Sequence, residues 1–170
     1  IKPRLNTITF AISELTTFKS LVETILHKKV AAKTIQKLLD NIPLGNWVET
    51  GKKLYEGKKI CEYCENPISE SRIEELNNHF SKDYDNLKLS ISGKAKELES
   101  ALIKLEQPLS EVIAFNTDIQ AEHTTAKTSI ETEITNYNSA INSLIADLKS
   151  KQEKPFDKLE VTAITDNIKT

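Results

Sequence analysis

One apolar stripe constrains this chain more than any other feature. It runs through Ile73, Leu76, Phe80, Tyr84, Leu87 and Ile91 and continues to Ile141, Leu144 and Leu148. It covers 75 residues in 21 steps, a mean of about 3.57 residues per step. That value lies between the heptad repeat and a straight helix, so the pattern predicts a long, weakly supercoiled helix over residues 69–154. Ser69 is its expected N-cap, with Glu70 in the first turn. Fully helical, such an arm would reach about 120 Å at the helical rise.

Two places weaken the arm. Pro108 removes a backbone hydrogen bond and predicts a kink or a fold-back. The stripe keeps its phase across the proline, which favours the kink. Asn116 and His123 fall on the seam in a Thr-rich stretch, where packing is expected to be poor. The stripe needs a partner. Either the arm folds back near Pro108, or it pairs with residues outside this chain.

The arm before it is shorter. Ile8, Ala11, Leu15, Phe18, Val22 and Ile25 form one stripe, predicting a helix from about Thr9 to Lys29, with His27, Lys28 and Lys29 at its C-terminal end. Between the arms, residues 30–68 hold the single Trp and three of the four Gly. Ile35, Leu38, Leu39 and Ile42 suggest a short helix stopped by Pro43. Trp47, Val48 and Tyr55 are expected to fill a small knob with a core of its own. Pro155 closes the long arm and leaves residues 155–170 as a short separate element. The organisation read from the sequence is therefore residues 1–29 as incoming arm, 30–68 as knob, 69–154 as outgoing arm and 155–170 as C-terminal segment. The fold class is all-α: an elongated antiparallel helical hairpin or coiled coil with a small C-x-x-C knob between its arms. Composition agrees, with 28% charged and only 6% aromatic residues, a profile for a thin rod rather than a compact globule.

The knob carries the chemistry. Cys61-Glu62-Tyr63-Cys64 places two thiols three residues apart, the spacing at which both sulfurs bind one tetrahedral zinc near 2.3 Å. A tight turn after the second cysteine would aim backbone N–H groups at the sulfurs, and Lys58 and Lys59 would lower the thiol pKa values further. Zinc wants four ligands and the chain has only these two cysteines. A two-fold homodimer, with two thiolates from each chain, completes the set and leads the alternatives. The others are an internal site that recruits His79, a pair of free thiols, and a thioredoxin-like redox pair, which would need a βαβ setting that is missing here. Glu62, Glu65 and Glu70 read as a solvated acidic rim. Lys52, Lys53, Lys58 and Lys59 read as a basic patch serving solubility before phosphate binding.

The segment 46–87 resembles the hook of coiled-coil AAA-type ATPases that include the RloC-type anticodon nucleases. The similarity rests on Trp47, Val48, Gly51, Cys61, Cys64, Arg72, His79 and Phe80. Glu62 and Tyr63 stand where that pattern has Pro-Phe, and Glu65 stands where it has Gly, which puts the turn geometry in question. By architecture the segment is also similar to the zinc hook of double-strand-break repair ATPases. The resemblance implies a zinc hook joining two ATPase rods, a parent with ATP-binding heads outside these residues, and in the anticodon-nuclease members a tRNA-cleaving domain. Trp47, Val48, Tyr55 and Phe80 would be the structural core of the hook.

Net charge is −2 and no basic field covers the chain, so direct nucleic-acid binding by this segment is not expected, although tRNA or DNA is open for the parent. No run of 18 apolar residues spans a membrane, no leader opens the chain, and a cytoplasmic setting is expected. The chain starts at Ile1 and contains no Met, which reads as an excised fragment. No nucleophile–base pair and no G-x-x-x-x-G-K-[ST] loop is present, and Leu89–Lys94 matches an ABC signature only superficially, so the fragment itself is not expected to be an enzyme.

Overall fold

In the computed structural model the described residues are 14–105 and 117–164, and they form helices and connecting loops with no paired strand among them. Helix α1 spans Leu15–His27, α2 Gln36–Leu39, α3 Ile42–Leu54, α4 Glu70–His79, α5 Lys82–Ala101 and α6 Gln120–Glu153, the last preceded by a 3-10 turn at Thr117–Ile119.

In α1, Leu15, Phe18, Val22 and Leu26 recur at steps of three and four and are buried, while Ile25 is half-buried. The expected start at Thr9, with Ile8 and Ala11, lies outside the described residues. The helix stops at His27, two residues before Lys29. Pro43 does not end a helix, as expected, but begins one. It sits in the first turn of α3, where a missing N–H costs nothing, behind Asn41, whose side chain accepts a hydrogen bond from the Leu44 N–H at 3.0 Å. Gly45 lets α2 and α3 touch, since a Cβ there would lie 2.9 Å from the Leu38 carbonyl oxygen.

The outgoing arm is not one helix. Ser69 caps α4 by accepting from the Arg72 N–H at 3.3 Å. The helix then ends at Phe80, and Ser81 caps α5 by accepting from the Tyr84 N–H at 3.4 Å, with Asp83 and Asp85 in the first turn. A second break follows Ala101, and the chain reverses. The Ile103 N–H donates to Asn138 Oδ1 at 2.9 Å, and Asn138 Nδ2 donates to the Ile103 carbonyl at 3.0 Å. Tyr84, at the other end of α5, stacks on Phe156, beyond the end of α6. Helices α5 and α6 therefore run antiparallel, and the link between them falls in residues 106–116, outside the described residues. Pro108 and Asn116 lie outside the described residues. Between α5 and α6 the stripe is buried at Leu87, Ile91 and Leu98 and from Tyr137 to Leu148, whereas Ile73, Ile119 and Ile130 are exposed.

Helices α1, α5 and α6 share the main core, which includes Val22, Leu26, Leu87, Leu98, Ile141, Leu144 and Leu148, each fully buried. A second cluster of Leu38, Phe80 and Tyr84, with Val30, Ile35, Leu44, Val48, Leu76 and Phe156 against it, joins α2, α3, α4 and the start of α5. The segment after α6 packs back onto the helices. Phe156 enters the second cluster, Leu159 and Val161 pack on the first, and the Leu159 N–H donates to the Leu26 carbonyl at 3.1 Å. The fully buried Lys151 ammonium donates to the carbonyls of Lys28 and Asp157, tying the ends of α1 and α6 to that segment. No helix of the described residues is long and apolar enough to cross a membrane.

Candidate metal centre

The cysteines sit in a short hairpin loop between α3 and α4. Gly57, at φ +77°, turns the chain out of α3. The two sides then pair: the Ile68 N–H donates to the Lys59 carbonyl at 2.8 Å and the Cys61 N–H to the Asn66 carbonyl at 2.9 Å. The tip closes through the Glu65 N–H on the Cys61 carbonyl at 2.7 Å. Glu65 adopts φ +57°, the left-handed region that favours glycine, so the chain makes the tight turn with a strained residue where the resembling pattern has Gly. Below the tip, the Glu62 N–H donates to Tyr55 Oη at 3.0 Å, which seats the loop on the end of α3.

This turn controls the sulfurs. The Cys61 thiol is held below its ordinary pKa first by the Cys64 backbone N–H and then by that of Tyr63, with the Cys64 side chain and the Tyr55 hydroxyl adding to the effect. Lys58, one of the two lysines expected to do this, is engaged elsewhere. Lys58 reaches Glu62 at 3.6 Å and lies over the Tyr55 ring. Cys61 is half-buried and Cys64 exposed, both as free thiols. The two side chains approach to 3.7 Å. Two thiolates at 2.3 Å from one tetrahedral zinc are separated by about 3.8 Å, a spacing with which the closeness of this pair is compatible.

His79 is not brought to the cysteines. It is buried in the second cluster, where Nδ1 accepts from the Ile35 N–H at 3.1 Å and the ring stacks on Phe156 at 5.0 Å. Burial, and then the Arg72 charge, hold its pKa below the ordinary value. Among the described residues, Cys61 and Cys64 form no group of three metal-binding side chains with it.

The four residues expected to form the knob core divide. Phe80 is buried and Val48 packs half-buried beside it. Tyr55 is half-buried under the cysteine loop. Trp47 is 64% exposed and belongs to neither cluster, because the face of α3 that turns inward carries Leu44, Val48 and Glu49. Glu49 is the residue the sequence reading missed. Its buried carboxylate accepts from Tyr84 Oη at 2.7 Å, Lys88 Nζ at 2.7 Å and Lys53 Nζ at 3.0 Å, fixing the base of the loop to α5. Only its position beside Val48 on the inward face could have signalled this. Lys52 donates to the Phe80 carbonyl at 3.2 Å, so two of the four lysines of the supposed patch hold the fold together.

A family model described as an AAA domain matches residues 1–170, the whole chain. No curated protein and no solved structure matches it. Nucleotide binding is implied by that family, but the sequence contains no G-x-x-x-x-G-K-[ST] phosphate loop. Gly45 and Gly51-Lys52 come nearest to a phosphate loop, with five residues between the glycines in place of four, Lys53 in place of Ser or Thr, and both glycines inside helix α3.

Proposed function

The chain belongs to the AAA domain family, and on that premise we propose that it is the hook segment of a larger coiled-coil ATPase. In this reading Cys61 and Cys64 hold one zinc whose other two ligands come from the same loop of a second copy. The zinc supplies a closed tetrahedral bridge, and free energy of metal binding becomes free energy of dimerisation. The residues of this chain do the rest. Glu65 closes the turn, the Cys64 and Tyr63 N–H groups stabilise the Cys61 thiolate, and Tyr55 and Glu49 anchor the loop to α3 and α5. The observation that carries the reading is the approach of Cys61 and Cys64 to 3.7 Å on one turn, with Cys64 exposed. The elongated antiparallel arms that couple two rods in the cytoplasm would be built on α1, α5 and α6, since α3 and α4 beside the loop are short. The parent would be of the RloC-like anticodon-nuclease class, with ATP bound and tRNA cut by residues outside this chain.

Multi-angle light scattering tests the bridge. The expected result is a dimer with zinc that becomes a monomer with chelator, and a monomer for the Cys61→Ser/Cys64→Ser variant under both conditions. A monomer throughout would remove the bridging. The exposed Cys64 and the lowered pKa of Cys61 favour a second reading, a hinge that senses oxidation or metal loss. Slow labelling of the thiols in the metal-free native protein would count against it.

A further inference from the structure

Away from the cysteines, α1 and the C-terminal segment bring three other metal-binding groups together. Glu23, His27 and Glu160 each offer a ligand atom, and these atoms all lie within 4.8 Å of one another. We propose that Glu23, His27 and Glu160 form a second cation site, for a first-row divalent ion such as zinc, that clasps residues 158–162 to α1.

Three observations support it. Glu23 and His27 are four residues apart on one helix and therefore face the same way, which fixes two ligands on a rigid element. Glu160 comes from the other side on a segment that is itself pinned. The Leu159 N–H donates to the Leu26 carbonyl at 3.1 Å, and Thr162 gives its N–H and hydroxyl to Asp147 at 2.8 and 2.6 Å. The ligand atoms are also chemically matched: an imidazole nitrogen with two carboxylate oxygens is a set that zinc and its neighbours in the first row accept.

The three ligand atoms converge from two elements, α1 and the C-terminal segment. His27 Nε2 lies 3.0 Å from Glu160 Oε2, and Lys158 Nζ lies 2.9 Å from Glu160 Oε1. Lys158 therefore occupies one oxygen of Glu160 and leaves the other for the site. A bound ion would replace the direct contact between His27 Nε2 and Glu160 Oε2. Water would complete the coordination, because His27 and Glu23 are half-buried and Glu160 is exposed. The clasp would hold the C-terminal segment where it covers the ends of α1 and α6.

This site does not depend on zinc bridging at the cysteines, and its test removes that chemistry first. In the full chain carrying Cys61→Ser and Cys64→Ser, titration with Zn²⁺ by calorimetry and with Co²⁺ by absorbance is expected to give about one ion per chain. At a zinc concentration about 100-fold above Kd, Tm should rise by about 5–10 °C. Adding His27→Ala should weaken binding at least tenfold, and Glu23→Gln should do the same while leaving the His27–Glu160 contact in place. Far-UV circular dichroism of the metal-free variants shows whether each is folded. No binding by the serine variant, or binding unchanged by both substitutions in folded protein, would overturn the site.

Discussion

Glu49 holds the base of the cysteine loop to α5, and its loss gives a prediction that can be worked from distances. Its side chain is 8% exposed and takes three hydrogen bonds. The bond to Lys53, a residue 67% exposed, is worth a few tenths of a kcal/mol. The bond from Tyr84 is buried and charge-assisted, which places it at about 2 kcal/mol. Lys88, at 23% exposed, falls between. Tyr84→Phe should therefore cost about 2 kcal/mol. Glu49→Ala, which also strands the Tyr84 hydroxyl and the Lys88 ammonium, should cost about 3–4 kcal/mol. For a chain of this size these correspond to drops in Tm of about 4–8 °C and 6–16 °C. Urea unfolding followed by circular dichroism reads both, and the double variant isolates the pair, with a coupling of about 1.5 kcal/mol or more. Burial raises the Glu49 pKa, but hydrogen bonds from Lys88, Tyr84 and Lys53 outweigh it, so the carboxyl titrates below its ordinary 4.5. A lowered folded pKa means that this stability is present above pH 4.5 and is lost as pH falls through the folded value. Glu49→Ala should accordingly flatten the acid limb of the stability curve. Strict additivity of the two substitutions, or Tyr84→Phe within about 0.5 kcal/mol of the parent, would refute the reasoning.

His79 should give stability an opposite-charge version of the same dependence. Its neutral form is favoured in the fold, so stability is full above its ordinary pKa of 6.5 and declines as pH drops through that value toward the lower folded one, a slope that unfolding at stepped pH measures. His79→Asn, which keeps an acceptor for the Ile35 N–H, should remove the slope. Glu65→Gly relieves left-handed strain of about 1 kcal/mol and returns part of it as chain entropy, so thermal unfolding should show a gain of at most about 0.5–1 kcal/mol. Trp47→Ala should shift the unfolding midpoint of the monomer by less than about 0.5 kcal/mol, because the ring is mostly in solvent.

The apolar periodicity made much of the fold legible. Leu87, Ile91, Leu98, Tyr137, Ile141, Leu144 and Leu148 all lie on the predicted stripe and are all buried. Periodicity could not say what the stripe packs against, since a helix that reverses and meets its own continuation keeps the same phase as one that bends. The break at Phe80 was written in a cap, Ser81 followed by Asp83 and Asp85, and was masked by apolar residues that continued in step. Pro43 was misread for a related reason: a proline that stops one helix is also well placed to begin another, and Asn41 before it was the deciding residue. Trp47 shows the limit of composition: a lone aromatic residue reads as core, yet the inward face of α3 is set by its neighbours Leu44, Val48 and Glu49. The cysteine spacing identified the loop from sequence alone, whereas contacts between residues far apart in the chain, such as His27 with Glu160, left no local trace.

The claim on which the proposed function rests is that two thiols of one chain make half of a zinc site. The most direct measurement is zinc per chain by mass spectrometry of the purified native protein, with the value for the Cys61→Ser/Cys64→Ser variant subtracted to isolate the loop. A shared tetrahedral site predicts a difference of about one half atom per chain. A difference of one whole atom, or of none, would contradict it.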